Sequence, residues 1–395
     1  MGRLATDDRR ISLELLGAAA FMVIADARVI DPVLHIIADD FKVGVGSAGV
    51  IISAYTIPYG LFQLVYGPLG DRIGKVKVMT AGMGAFAVGT AVCAVVSNLA
   101  ILTLMRFLTG LAAAAVIPLS LAYIGDNYPY EQRQAAIGRY LGFVVLGQIL
   151  GSSLGGIFGE YISWRNIFLV FGLLSVGITI TMWRAIRSIR DMHRSELTMG
   201  LAAFRPYYQL ITQPAARTVM IAVFGEGFFL FGGFSYVGAF LRDEYHLSYV
   251  AIGFMLSSFG VGGLIYSRYV QWLVRRLGEN GMVGVGSLLI CVGYLFIALY
   301  HNWVLFIPLS IFIGLGFYMM HSTFQTQATE LAPKARGTAV ALFVFNMFLG
   351  QGLGTAAFGR VVDSYGYVPC FVVAALAIAL LCFWFIYQKK RIELI

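Results

Sequence analysis

The chain has 395 residues, of which 59% are hydrophobic and only 12% charged, with a formal net charge of +8 and a mean hydropathy of +0.80. A soluble fold has no interior able to hide that much apolar surface, so the composition excludes an ordinary soluble enzyme or binding domain and points to a membrane-integral protein. The excess of base does not imply nucleic acid, because the Lys and Arg residues sit in short gaps between apolar runs and form no continuous basic face.

A helix needs about 20 residues to cross a hydrocarbon core of ~30 Å. That ruler predicts twelve spans: 12–37, 46–69, 77–96, 99–125, 133–158, 164–183, 217–240, 249–274, 281–300, 303–328, 336–361 and 367–387. The polar segment Met1–Arg10 precedes a long first run that carries acids, which reads as a retained span rather than a cleaved signal peptide. Four cysteines, Cys93, Cys291, Cys370 and Cys382, fall inside apolar runs with no CxxC spacing. They are expected to be buried free thiols, with neither a disulfide nor a metal site.

The first span carries Asp26, Arg28 and Asp31, followed by Pro32. At 100° per residue Asp26 and Arg28 point about 200° apart, so both cannot face one narrow cavity. Asp31 is nearer the outer end and is expected to line the entrance. Between the second and third spans lies a short basic turn with Gly67, Gly70, Asp71, Arg72, Gly74, Lys75 and Lys77. Glycines there allow close helix approach or positive φ, and Asp71 is an acid at a helix terminus. The fourth span contains Arg106, a cation that at membrane depth costs about 2.5–3.5 kcal/mol and needs a partner, a water-filled cavity or a route to snorkel outward.

The fifth span has Gly147, Gly151, Gly155 and Gly156, a small-residue face suited to close helix packing. The string around Ser153 also matches the G-x-S-x-G hydrolase elbow, but no strand precedes it and no His–acid partners are evident, so an enzyme is not expected. After the sixth span, Arg184, Arg187, Arg190 and Arg194 recur at helical spacing. This predicts either an amphipathic helix on the inner leaflet or a solvated linker. The segment 184–216 divides the chain into an N-terminal six-helix bundle, 1–183, and a C-terminal one, 217–395.

The seventh span offers Glu226 with Phe228, Phe229, Phe231, Phe234 and Tyr236, and the tenth offers His321 with Gln325 one turn later. An intramembrane acid is a functional candidate, and histidine titrates near neutrality. Rings at this depth line a pocket for a lipophilic guest, or they face lipid and pack between helices.

Orientation follows from base placement. Twenty-two of the 28 Lys and Arg lie at the termini, or in and beside the loops after even-numbered spans. Lys42, Arg165, Arg242 and Arg360 lie in or beside the other loops, and Arg28 and Arg106 lie deeper within spans. The positive-inside rule then places both termini in the cytoplasm. An internal echo supports duplication: Asp71–Gly74 returns as Arg275–Gly278 after 204 positions, and Gly147-Gln148 with Gly151 returns as Gly350-Gln351 with Gly354 after 203. Pro129 similarly matches Pro333. Duplicated six-helix halves are a transporter plan, with the binding site at mid-depth between them.

These motifs together resemble the major facilitator superfamily, and within it the twelve-span drug–proton antiporters. The Gly67–Met79 turn resembles the signature between that family's second and third helices. The resemblance implies that Asp71 latches the two halves on the cytoplasmic face in the outward-open state. Arg106 resembles the fourth-span arginine linked to proton transfer, although Thr109 stands where Gln is common. Asp26 with Pro32 resembles the first-span antiporter motif. The glycine spacing of span five resembles the antiporter motif, with Ser152 in place of its proline.

The expected fold is all-α, with twelve transmembrane helices in two pseudo-symmetric six-helix bundles. The expected function is alternating-access, proton-coupled efflux of a drug-like or small organic metabolite. Uptake by symport or uniport on the same scaffold, or a non-transporting membrane sensor, are the alternatives. Asp26 is expected to carry the proton, with Arg106 resetting it; a static Asp26–Arg106 pair is the rival role. Glu226 and His321 are further coupling candidates. The cavity set is Asp26, Arg28, Asp31, Phe228, Phe231, Phe234, Tyr236, His321 and Gln325. The expected partners are a small-molecule cargo, protons and the lipid bilayer, with no nucleic acid, no cofactor and no metal. A monomer in a bacterial inner membrane is expected.

Overall fold

The structure, a computed structural model, describes residues 11–186, 205–300, 302–331 and 336–393. Pro333 and the bases Arg187, Arg190 and Arg194 of the expected amphipathic stripe lie outside these residues. Among the described residues, ten helices are long and apolar enough to cross a membrane. One of them, Tyr249–Leu299, holds two crossings turned at Gly278, whose φ of 60° and ψ of 177° interrupt the helix. The broken first span adds another, and the result is twelve crossings.

The first span is helical over Leu13–Arg28, with the Ser12 hydroxyl accepting a hydrogen bond from the Leu15 N–H. Pro32 cannot donate to a helical ladder, and the chain leaves the helix at Val29 before resuming as Leu34–Phe41. The expected continuous run 12–37 is therefore two helices around a turn. The fourth span is similarly interrupted, as Leu99–Ala113 and Val116–Asn127. The seventh opens as Pro214–Gly225 and passes through a wide π-type turn at Glu226–Phe231. It resumes over Gly232–Phe234 and Val237–Tyr245. The second span runs through Pro58 and Pro68 without a break, which neighbouring helices make tolerable in a membrane.

The duplication is visible in packing. Span five, Tyr130–Tyr161, lays its glycines on span one: a Cβ at Gly147 would press on the Phe21 carbonyl, and one at Gly151 on that of Ala25. Span eleven, Arg336–Tyr365, repeats this against span seven, with Gly350 on the Phe224 carbonyl and Gly354 on that of Phe228. Every member of the second set lies 203 positions after its counterpart. The turn glycines Gly74 and Gly278 both have positive φ, 110° and 60°. Those are conformations that an L side chain resists.

The two halves meet along spans two and eleven and along spans five and eight. Gly46 packs on Gly359, and Ser53 donates to the Gly352 carbonyl at 2.8 Å. Gly156 packs on Tyr249 and Gly253, and the Ser153 and Ser257 hydroxyls lie 2.7 Å apart. The hydrogen bonds found across this seam run from the face opposite the termini to mid-depth, ending near Tyr318 and Gln148 at 3.4 Å. Nearer the termini there is open space beside Gly67, Gly138, Gly142 and Gly337. Cys93, Cys370 and Cys382 are buried free thiols as expected, while Cys291 is only partly covered.

Candidate functional site

The last turn of the helix Leu13–Arg28 turns Asp26 inward toward span four. Arg106 meets it there, with Nη1 donating to Asp26 Oδ2 at 2.5 Å. The guanidinium also lies 4.3 Å from the Tyr55 ring centre and 5.5 Å from that of Phe168. Gly110 makes the approach possible, since a Cβ there would collide with the Tyr55 backbone. Exposure is 1% for Arg106 and 0% for Asp26. Arg106 therefore does not snorkel. Asp26 Oδ1 and Arg106 Nε lack hydrogen-bond partners among the described residues, so the pair is closed to solvent yet not fully satisfied.

Arg28 faces the other way, as its spacing from Asp26 requires. Its guanidinium lies over the Phe231 ring of the second half at 4.7 Å and 3.6 Å from Asp31. Asp31 was expected to line the entrance. Instead it is buried in the turn between the two helices of span one, with Gly238 of span seven packed on its carbonyl. Closure of the far end of the seam covers it.

In the second half the π-type turn presents Glu226 to span ten. His321 Nδ1 is 2.8 Å from Glu226 Oε2. The imidazole lies between the Phe317 and Phe343 rings, at 4.8 and 4.9 Å. Glu226 is fully buried, and 17% of the His321 side chain is exposed. Gln325, one turn nearer the terminal face, is exposed.

The aromatic residues of span seven divide. Phe228 is partly covered and packs near Phe229 and Phe358. Phe231 is buried against Phe259 and Phe317, and Phe234 against Phe259. Tyr236 is no cavity residue here: its hydroxyl donates to the Thr355 carbonyl at 2.7 Å, with the Gly46 carbonyl at 3.4 Å, inside the closed part of the seam.

The basic turn is tied within the first half. Lys75 Nζ lies 3.0 Å from Asp71 and 2.6 Å from Asp126, and Gly70 seats the Leu119 side chain. Arg72 is exposed, and Gly67 has open space beside it. Sequence reasoning missed Asp126, which sits 51 positions from Lys75 with no motif to mark it.

The contacts that hold the far face were missed as well. Asp363 accepts from the Gly46 N–H at 2.7 Å and the Ser47 N–H at 2.9 Å. His35 Nε2 lies 2.6 Å from Asp243, and Glu160 accepts from the Tyr249 N–H at 2.7 Å. Only the acidic and histidine residues at the ends of opposite spans hinted at them.

A sequence profile of the Major Facilitator Superfamily matches residues 16–355. The uncharacterized MFS-type transporter YceJ of Bacillus subtilis is 28% identical over 359 residues, covering 89% of each chain. The inner membrane transport protein YnfM of Escherichia coli is 23% identical over 381 residues, covering 94% of this chain and 89% of that one. Among solved structures, the nucleoside transporter NupG superposes with a TM-score of 0.77 at 14% identity. That match covers 96% of this chain and 100% of the other, and the likeness is one of fold.

Proposed function

The chain belongs to the Major Facilitator Superfamily, and on that premise we propose that it is a proton-coupled exporter exchanging protons for a drug-like or small organic metabolite. One observation carries the proposal: each six-helix half buries a carboxylate against a base, Asp26 with Arg106 and Glu226 with His321. Charges at membrane depth are costly and mark ion pathways. Asp26, Arg106, Glu226 and His321 make up the coupling set, as proton carriers or as groups that position them. The cargo meets Arg28, Phe228, His321 and Gln325 at the mid-depth end of the parted seam.

The terminal face is assigned to the cytoplasm on the count of Lys and Arg. The membrane is assigned to the bacterial inner membrane, in line with the name of the YnfM relative. With that orientation the structure is an inward-open state. Asp71 is held by Lys75 on its own half, as a released latch would be, and on switching it crosses to the other half. The chain acts as a monomer, with the seam between its own halves as the only moving interface it needs.

Symport or uniport is the second reading, and the unbroken helix of span five favours it. Tyr130–Tyr161 runs straight through Ser152, where the antiporter motif has its proline. Purified protein in vesicles with an imposed pH gradient separates the two. Exchange predicts that adding a transported compound on one side collapses the gradient, read by an entrapped pH dye. Counterflow of the compound with no proton movement contradicts exchange and establishes a uniporter.

A further inference from the structure

The two buried pairs differ in access, and that difference assigns them different tasks. Asp26 and Arg106 are sealed by Tyr55 and Phe168. Glu226 is sealed as well, but its partner is not: the His321 side chain keeps 17% of its surface open, with exposed Gln325 one turn nearer the terminal face. Glu226 also begins a π-type turn, a local widening that often marks functional positions in helices. Its second oxygen, Oε1, is buried with no hydrogen-bond partner among the described residues, and so is Gln351 Oε1 on the packed face of span eleven. Glu226 therefore holds an acceptor atom that no donor among the described residues meets.

We propose that Glu226 and His321 are the proton-exchanging site of the transport cycle, with His321 as the shuttle between Glu226 and the terminal opening, and that Asp26–Arg106 is a positioning pair that exchanges no proton. The assignment rests on the proton-coupled reading of this chain. A proton from the opening binds Nε2 of the neutral imidazole. The Nδ1–H bond breaks and an Oε2–H bond forms on Glu226. The imidazole is left neutral in its other tautomer, and the pair passes from one net negative charge to none. Release at this face runs the same steps backward.

Span one brings one cation near this turn, the Arg28 guanidinium over the Phe231 ring at its far end. Span eleven presents Gly350, Gln351 and Gly354 to this part of span seven, and span twelve presents Leu381. Span ten presents Phe317 and His321. His321 is the titratable side chain within hydrogen-bond distance of Glu226.

Infrared difference spectroscopy of the full chain in lipid, stepped in pH without any cargo, reads the site directly. A carboxylic-acid C=O band is expected to appear as pH falls, to vanish in Glu226→Gln and to persist in the double variant Asp26→Asn with Arg106→Gln. In His321→Asn its midpoint should move by at least about one pH unit, which a purely structural histidine would not do. Loss of the band in the double variant with retention in Glu226→Gln overturns the assignment. So does an unmoved midpoint in His321→Asn, checked for folding by its thermal unfolding profile. The band does not depend on the direction of transport, so uniport in vesicles alongside a Glu226 band would sink the exchange reading and leave this proton site standing.

Discussion

In the first half a guanidinium closes over Asp26, leaving 1% and 0% of the two side chains exposed; in the second an imidazole meets Glu226 and keeps 17% of its own surface open. The backbones that hold these pairs are related. Gly147 and Gly151 press on span one as Gly350 and Gly354 press on span seven, 203 positions later. The charged pairs are not related in that way. Asp26 maps onto Phe229, and Glu226 maps onto Val23. The glycine seams thus repeat between the halves, and the charged pairs do not. Two copies of one scaffold can then divide a permanent tie from an exchangeable one.

The largest expected effect that sharpens this contrast is at Arg106. Arg106→Leu leaves Asp26 buried without its counter-charge and should cost about 3–5 kcal/mol, as broken buried pairs do, measured by thermal unfolding in lipid or detergent. Loss of the base beside Glu226, in His321→Asn, should cost distinctly less, because His321 is only partly buried and a protonated Glu226 leaves no unpaired charge. Equal losses would erase the distinction between the halves.

Next come the glycine seams, where the halves should behave alike. Gly151→Val and Gly354→Val each force a side chain onto a neighbouring carbonyl, at Ala25 and at Phe228. Overpacking of this kind costs about 1–3 kcal/mol. Similar destabilisation at both sites is expected, and a large effect at only one would show that the repeat is not structurally equivalent. The smallest effect belongs to Lys75→Ala. Its partners Asp71 and Asp126 are largely solvent-exposed, so stability should fall by about 0–1 kcal/mol. On the latch role proposed for Asp71, its consequence should be read in transport rates, because Lys75 no longer holds Asp71 on its own half.

Much of the fold was legible because membrane burial writes itself into composition. Apolar runs marked the twelve crossings, and the glycine echoes marked the halves. Asp26 and Arg106 were read as acting on each other, and the two side chains meet. What sequence could not show was how distant pieces converge. Glu226 and His321 were both visible as buried titratable residues, but their contact depends on a π-type turn that no hydropathy pattern announces. The break in span one at Pro32 was signalled by the proline, yet the apolar run concealed its extent. Tyr236 read as a pocket residue because aromatic residues surround it. Its hydroxyl is instead spent on the seam between the halves. Asp363, His35 and Asp126 carry no local signature, since their partners are set by how the halves meet and how the turn folds.

On the proposed cycle, a proton on Glu226 shifts the balance between the two arrangements of the halves. Spin labels at Gln134 and Glu330, both exposed at the terminal ends of the two halves, in a Cys291→Ala background, report the width of the terminal opening by pulsed dipolar spectroscopy. Two distance populations are expected, with their ratio shifting across the pH range in the parent and fixed in Glu226→Gln. A ratio that shifts equally with pH in Glu226→Gln, or a single distance at every pH, would contradict it.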